Sequence, residues 1–346
     1  MKIHTYGNDQ RIVRAARVSY GKDQKLNKND AVLLAYLVKE RHASPFEHCW
    51  FIVEDKNFEK EIKKIVETTN NPSLINTFYS VYNIENKRLT FFTLRNMINL
   101  FFMTDKVEKK DFSKLCESFI ESFPGVYNIC NLYKTFGEEA YDLIKENPWL
   151  EISKEKNTKP LNEIKLDNNL GYIALIDKKE FYSPMDLYTF VVECPIFVAR
   201  QWFRHRFGSY NEISRRYTKE NISIYLPKKL RKQSKVNKQA SLEEIIEKNE
   251  IYVQKMEELF DKSLKLYEEL IKEDVAKEIA RIVLPLSLKT RFYWTVPLVS
   301  LDNFIKLRDS EHAQKEIKLY AEAIKEIINY KEKEEIIKDL FRRSYF

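Results

Sequence analysis

CPIFVARQWFRHRFGSYNEISRRY, from Cys194 to Tyr217, is the stretch on which the organisation of the chain turns. Its apolar opening, Ile196 to Phe203, is broken only by Arg200 and Gln201 and runs straight into Arg204, His205 and Arg206. Clustered cations beside apolar surface repel one another and lose hydration, so they favour an anion in their midst. The planar donor fork of arginine suits a phosphate or the polar edge of a planar ring. Ser209, Asn211, Glu212 and Ser214 follow as polar groups able to orient such a ligand. The stretch reads as a nucleotide site. Pro195 fits the first turn of a helix with Phe197, Arg200 or Gln201, and Arg204 along one face.

Moving outward, Leu187–Val192 and Cys49–Val53 both read as strands. Asn8 or Asp9 caps a helix through Val13 and Ala16 that ends near Gly21. Asn29 or Asp30 caps another, with Leu33, Leu34, Leu37 and Val38 on its buried face. That helix stops before Ser44-Pro45, because a residue preceding proline avoids the helical region. His42 and Ser44 are thereby set at a helix end and turn, where side chains can face a cleft. Downstream, helical spacing covers Leu242–Ile271 and Asp274–Val283, the latter closed before Pro285. Ser300 is a cap for a third helix that buries Leu301, Phe304, Ile305, Ile317, Tyr320, Ile324 and Ile328. Few glycines and long charged helices predict a helix-rich α+β chain.

Bulk properties narrow the function classes. At 346 residues, with 44% hydrophobic and 13% aromatic content, the chain can form one large domain or two, and wholesale disorder is excluded. There is no apolar run of membrane length, and MKIHTYGNDQ lacks the pattern of a signal peptide. Cys49, Cys116, Cys130 and Cys194 show no metal-type spacing, which predicts reduced structural thiols, no metal site and a cytoplasmic protein. A net charge of +7 suits small anionic substrates as well as nucleic acid. The basic run KKLRKQSKVNK, Lys228–Lys238, has no interleaved aromatics; between an expected strand, Ile222–Leu226, and a long helix it reads as a solvated loop.

The RHR triplet followed by seven residues and Ser214 resembles the signature of the flavin-dependent thymidylate synthases. Further matches stand in the family's order: ARVSYG (Ala16–Gly21), HASPFEH (His42–His48), EIARIVLPLSLKTRFYWT (Glu278–Thr295) and NFIKLRDSEHAQKEI (Asn303–Ile317). The resemblance covers roughly residues 1–56 and 184–330. It implies an α+β catalytic core, 1–56 and 184–346, carrying a large, mainly helical insertion, 57–183. Within that insertion, helical patterns fall near Glu59–Glu67, Leu94–Met103 and Phe112–Phe123. SPFEHCWFIV (Ser44–Val53) and SPMDLYTFVV (Ser183–Val192) bracket it and look alike.

The resemblance further implies conversion of dUMP to dTMP, with methylenetetrahydrofolate as carbon donor, NADPH as reductant and bound FAD. A homotetramer with sites between subunits is implied, with no membrane or nucleic-acid partner. For FAD it implies Ser44, Arg204, His205, Arg206, Glu212 and Asn303, with His42 beside the flavin ring as a catalytic group. For dUMP it implies Gln201, Arg204, Glu212, Ser214, Arg215, Arg216, Arg281 and Arg308. Arg308 is the second catalytic candidate, since a guanidinium at the pyrimidine edge stabilises negative charge developing there.

One departure bears on the cofactor. Where the family carries Asn-x-Arg after the FYWT segment, this chain has Pro297-Leu298-Val299, which has neither a backbone donor at the proline nor a side-chain charge. LTFFTLRNMINLFF (Leu89–Phe102) echoes YWTVPLVSLDNFI, so Arg95 and Asn96 are candidates for the missing donors. Two rivals remain: a degenerate flavin- or nucleotide-binding paralogue without turnover, motivated by Pro297 and Val299, and an RNA-binding or uridine-modifying protein, motivated by the basic loop.

Overall fold

Two antiparallel sheets organise the chain, each built where β-branched and aromatic residues alternate or run together. The computed structural model describes residues 1–19, 29–58, 60, 80–84, 87–103, 109–148, 150–155, 159–167, 169–180, 185–214, 216, 222–234 and 241–343. The chain divides into two units, residues 1–17, 23–158 and 209–211 against residues 18–22, 159–208 and 212–346. Residues 57–158 thus fall in the first unit and 159–183 in the second.

The first unit contains β1 (Lys2–Tyr6), α1 (Asp9–Val18), α2 (Asp30–Lys39), β2 (Trp50–Glu54), β3 (Ser80–Ile84) and β4 (Lys87–Thr93). Four helices follow: α3 (Leu94–Met103), α4 (Lys109–Ser122), α5 (Pro124–Phe136) and α6 (Glu139–Glu146). Its sheet order is β1-β2-β4-β3. The central strand β2 is buried from Trp50 to Val53, and its Phe51 stacks on Phe92 of β4 at 5.4 Å between ring centroids. Phe51, Phe92, Met97, Phe119 and Phe123 belong to one continuous apolar core. Burying such side chains contributes about 1.5–3 kcal/mol each.

Charged groups tie α1 into this unit. Buried Asp9 accepts hydrogen bonds from Gly125 N (2.9 Å) and Val126 N (3.1 Å) at the start of α5, and from Ser153 N and Oγ (2.8 and 2.9 Å). A carboxylate there satisfies donors that the first helical turn leaves unpaired. Burial raises its pKa, and those hydrogen bonds oppose the rise. Arg11 and Arg14 meet Glu155, and Arg17 meets Asp30.

The second unit contains β5 (Asn162–Leu166), β6 (Gly171–Lys179), β7 (Leu187–Pro195) and α7 (Ile196–Trp202). After β8 (Ser209–Glu212), of which only Glu212 counts with this unit, come β9 (Arg231–Gln233), β10 (Ser241–Ile245) and α8 (Asn249–Lys272). Then come α9 (Lys277–Ala280), β11 (Lys289–Pro297), α10 (Leu298–Arg308), α11 (Lys315–Ile327) and α12 (Tyr330–Arg343). The main strands run β5-β6-β7-β11. Trp202 is fully buried against Phe292, Trp294, Phe304 and Tyr320, which fixes α7 on this sheet.

The expected strands at 49–53 and 187–192 form as β2 and β7. Other boundaries differ from the periodicity. Leu242–Ile245 joins β10, paired with β9, and the helix begins only at Asn249. The helix expected over Asp274–Val283 shrinks to α9 and a 3-10 turn, Arg281–Val283. Pro297, not Ser300, precedes the first residue of α10, because its extended backbone leads directly from strand to helix. Residues 309–314 separate α10 from α11. Of the expected strand at 222–226, Ile224 makes an isolated bridge to Leu288. The pattern at 59–67 lies outside the described residues except for residue 60.

Candidate functional site

In the first unit, the site residues follow α2. Arg41 takes a left-handed conformation, φ 52°, and His42 N donates to Leu37 O at 3.0 Å. This is the geometry that ends a helix and turns the chain sharply. His42 is left exposed, its ring edge-on to Tyr36 at 5.6 Å. Pro45 then starts a 3-10 turn, Ser44–His48, which exposes Ser44 and buries His48 completely.

Asn211 clamps that turn. With its amide turned so that the nitrogen faces these acceptors, that nitrogen lies 3.2 Å from both Ser44 O and Ser44 Oγ, 3.1 Å from Tyr210 O and 3.3 Å from His48 Nε2. Ser209 Oγ donates to Glu47 O at 2.7 Å. Burial, with the Arg11 charge adding to it, pushes the His48 pKa down to about 3, so His48 is neutral. Glu47 accepts from Arg95 Nη1 at 2.6 Å. Burial raises the Glu47 pKa and Arg95 pulls it back. Asn96 serves a different purpose: its Oδ1 accepts from Thr93 N (3.1 Å) and Thr93 Oγ1 (2.8 Å), holding the start of α3.

In the second unit, the cationic triplet follows α7 at the point where the helix ends. Arg204 and Arg206 are exposed while His205 between them is buried. His205 Nε2 accepts from Arg308 Nε at 3.0 Å, and Arg308 Nη2 donates to Gln201 O at 3.0 Å. Burial, then the Arg308 charge, drives the His205 pKa down to about 4. A neutral His205 accepting at Nε2 carries its proton on Nδ1. Burial lowers the Arg308 pKa as well, yet a guanidinium stays protonated. The Gln201 side chain donates to Gln314, which precedes α11.

The remaining residues sit elsewhere in this unit. Glu212 Oε1 accepts from Thr290 Oγ1 at 2.6 Å. Ser214 N donates to Ser19 O at 2.8 Å, and Arg216 N to Ser214 Oγ at 3.3 Å, so this stretch is tied to the ARVSYG segment. Arg216 lines a cavity of about 530 Å³ with Ile271, Asp274, Val275, Lys277 and Glu278. Arg281 is exposed and donates to Glu278 O at 3.3 Å; Asn303 is exposed on α10. Arg215 lies outside the described residues.

The structure therefore brings Gln201, His205 and Arg308 into direct contact and joins Ser214 to Arg216. Sequence reasoning missed His48, Glu47, Thr290 and Gln314 as partners. His48 and Glu47 stand inside the HASPFEH segment, so attention to the whole segment would have found them. The donor set of two exposed guanidinia, a neutral histidine and serine hydroxyls fits a phosphate-bearing, planar group such as a flavin nucleotide. All four cysteines are free, and burial raises the thiol pKa values of Cys49, Cys116, Cys130 and Cys194. Burial is the largest cause at each, and the rise is the opposite of the lowered pKa that activates a thiol nucleophile. No helix among the described residues is long and apolar enough to cross a membrane.

Comparison with known proteins gives consistent matches. The family described as thymidylate synthase complementing protein matches residues 3–121 and 134–331. The flavin-dependent thymidylate synthase of Aquifex aeolicus is 47% identical over 336 residues, covering 96% of this chain and 97% of that protein. That alignment takes in the greater part of residues 57–183. The enzyme of the same description from Thermosipho melanesiensis is 45% identical over 170 residues, 48% of this chain and 72% of that protein. The one from Thermotoga neapolitana is 47% identical over 152 residues, 43% of this chain and 65% of that protein.

Proposed function

The chain belongs to the flavin-dependent thymidylate synthase family, and on that premise we propose that it converts dUMP to dTMP with FAD, methylenetetrahydrofolate and NADPH. The observation that carries this reading is the Gln201–His205–Arg308 contact set flanked by exposed Arg204 and Arg206. When bound, the flavin supplies the redox chemistry. Arg204, Arg206 and Ser44 bind it, with Glu212, Asn303 and the His42 ring as further contacts. Gln201, Ser214, Arg215, Arg216 and Arg281 hold dUMP, the guanidinia taking its phosphate.

Arg308 is the group we assign to the pyrimidine edge. Two of its five N–H donors are used on His205 and Gln201, which orients the fork and leaves donors for a ligand. Neutral His205 accepts without adding a competing positive charge. A fixed cation at that edge costs no reorganisation when negative charge develops on the ring.

A homotetramer is part of the proposal. Its support is the outer face of α8, where Tyr252, Leu259 and Leu266 recur every seven residues and are 46%, 62% and 44% exposed. Exposed apolar residues at that spacing form a seam for another helix. Light scattering is expected to give four times the 41.5 kDa chain mass; a monomer overturns this part. A cytoplasmic enzyme without a nucleic-acid partner completes the reading.

The test is the visible spectrum of the protein saturated with FAD and desalted, recorded before and after dUMP. A retained flavin band that dUMP perturbs supports both ligands in one site. A protein that holds neither overturns the reading. Flavin and dUMP binding without any dTMP formed would favour the non-catalytic paralogue.

A further inference from the structure

The two sheets repeat each other in register. In the first unit, Trp50, Phe51, Ile52 and Val53 of β2 pair with Thr93, Phe92, Phe91 and Thr90 of β4, and Val53 also faces Ile3 of β1. In the second, Thr189, Phe190, Val191 and Val192 of β7 pair with Thr295, Trp294, Tyr293 and Phe292 of β11, and Val192 also faces Ile173 of β6. Ser-Pro stands at the same distance before Trp50 as before Thr189, in Ser44-Pro45 and Ser183-Pro184. The stacked pair Phe51–Phe92 has its counterpart in Phe190–Trp294 at 5.6 Å.

In both units the second strand leads straight into a helix, β4 into α3 and β11 into α10. The strand register sets Thr93 on Thr295, and β11 then runs two residues further, through Val296 and Pro297, before its helix begins. Allowing that two-residue insertion, the helix starts align Leu94 on Leu298, Arg95 on Val299, Met97 on Leu301, Asn99 on Asn303 and Leu100 on Phe304. The burial of the two helices then agrees along their first turns: Leu94, Asn96, Met97, Ile98 and Leu100 are buried, as are Leu298, Ser300, Leu301, Asp302 and Phe304. Arg95 and Val299 are both half-buried. Chance likeness of one short segment does not extend to strand register, aromatic pairing and helix burial together.

The chemistry at these matched positions has parted. Glu47 corresponds to Asp186, and His48 to Leu187. Glu47 meets Arg95, which is 37% exposed and able to reach a ligand. Asp186 is buried, and Lys333 of α12 supplies its counter-charge at 3.6 Å while also meeting Glu180 at 2.8 Å. The Val299 side chain offers no donor. Conversely, the cationic triplet and Arg308 belong to the second unit only, while the two helices α1 and α2 intervene between sheet strands only in the first.

We propose that the chain is a tandem duplication whose two copies have diverged at matched positions, so that Arg95 of the first copy, and no residue at position 299 of the second, binds the flavin, and each chain holds one flavin rather than two. Residues 57–183 are then the end of the first copy and the beginning of the second. The inference rests on the proposed flavoenzyme reading for the identity of its ligand.

The experiment measures flavin per chain and flavin affinity on the full-length protein. After saturation with FAD and desalting, one flavin per chain is expected; two per chain overturns the inference. Arg95→Ala is expected to weaken FAD binding by about tenfold or more, the scale of a lost charge-assisted hydrogen bond. Unchanged affinity overturns it. Because removing Arg95 leaves Glu47 half-buried without its partner, the double variant Arg95→Ala/Glu47→Gln removes both charges and is expected to show the same loss with a native melting temperature. Val299→Arg is expected to leave stoichiometry and affinity unchanged; tighter binding in that variant overturns the assignment. The two readings fail separately. Two flavins per chain with dTMP formed would defeat only the inference, and one flavin lost in Arg95→Ala without dTMP would defeat only the proposed reaction.

Discussion

His48 in the first unit and His205 in the second are both buried and neutral, but their hydrogen-bond partners differ. His48 is held by an amide, Asn211; burial is the main cause of its depressed pKa, and the Arg11 charge adds to it without a direct hydrogen bond. His205 accepts from a guanidinium, so burial and a neighbouring cation act together. The first histidine secures a turn; the second orients the arginine we assign to chemistry. Similar burial therefore says little about role until the partner is known, and the partner's charge decides it.

The largest expected effect is Arg308→Ala. It removes a fixed cation from the proposed pyrimidine edge and should lower kcat/KM by about 10²–10³-fold, the cost of one such donor. In that variant the His205 pKa should also rise from about 4, because a positive neighbour is gone. NMR titration of the two histidines checks this: a shift at His205 with His48 unchanged supports the contrast.

Next in size is Gly171→Ala. Gly171 begins β6 with φ 144°, and an added Cβ would lie 1.9 Å from Glu193 O and 2.6 Å from the Tyr320 hydroxyl. Neither can yield easily, since the Tyr320 hydroxyl donates to Glu193 O at 2.6 Å and to Leu170 O at 3.2 Å. A loss of several kcal/mol, read by urea unfolding, is expected, on the order of the larger strain effects.

A pH experiment sharpens the histidine comparison. Both folded-state pKa values lie below the ordinary 6.5. Below pH 6.5 the unfolded chain takes up protons that the folded chain refuses. Stability is therefore complete above pH 6.5 and falls as pH drops toward 4 and then 3. Asn211→Asp puts a carboxylate beside His48 and should raise its pKa, flattening the acid loss. An unchanged acid midpoint in that variant would contradict the assigned cause.

The smallest effect is expected for Thr290→Val, which removes the hydroxyl donated to Glu212. Glu212 is exposed, so water can replace the bond, and a change of about 1 kcal/mol or less in dUMP affinity is expected by calorimetry.

Much of this architecture was legible in the residues. Helical spacing marked Leu94–Met103, and α3 forms over those residues. Ser44-Pro45 set an outer limit for α2, which ends at Lys39, before left-handed Arg41 turns the chain. The RHR segment pointed to His205, and its contact with Arg308 lies 103 residues along the chain. What local patterning could not supply was pairing between distant segments. The strand β10 was read as helix because Leu242, Ile245 and Ile246 also fit a helical stripe, and only pairing with β9 decides otherwise. The Glu47–Arg95 pair was equally hidden, since periodicity carries no information about ion pairs 48 residues apart.

The most direct measurement of the central claim is dTMP formation from dUMP by the FAD-loaded protein with methylenetetrahydrofolate and NADPH, followed chromatographically. The account predicts dTMP that appears only when FAD is bound and that falls by about 10²–10³-fold in Arg308→Ala. Protein that binds FAD and dUMP yet forms no dTMP would contradict it.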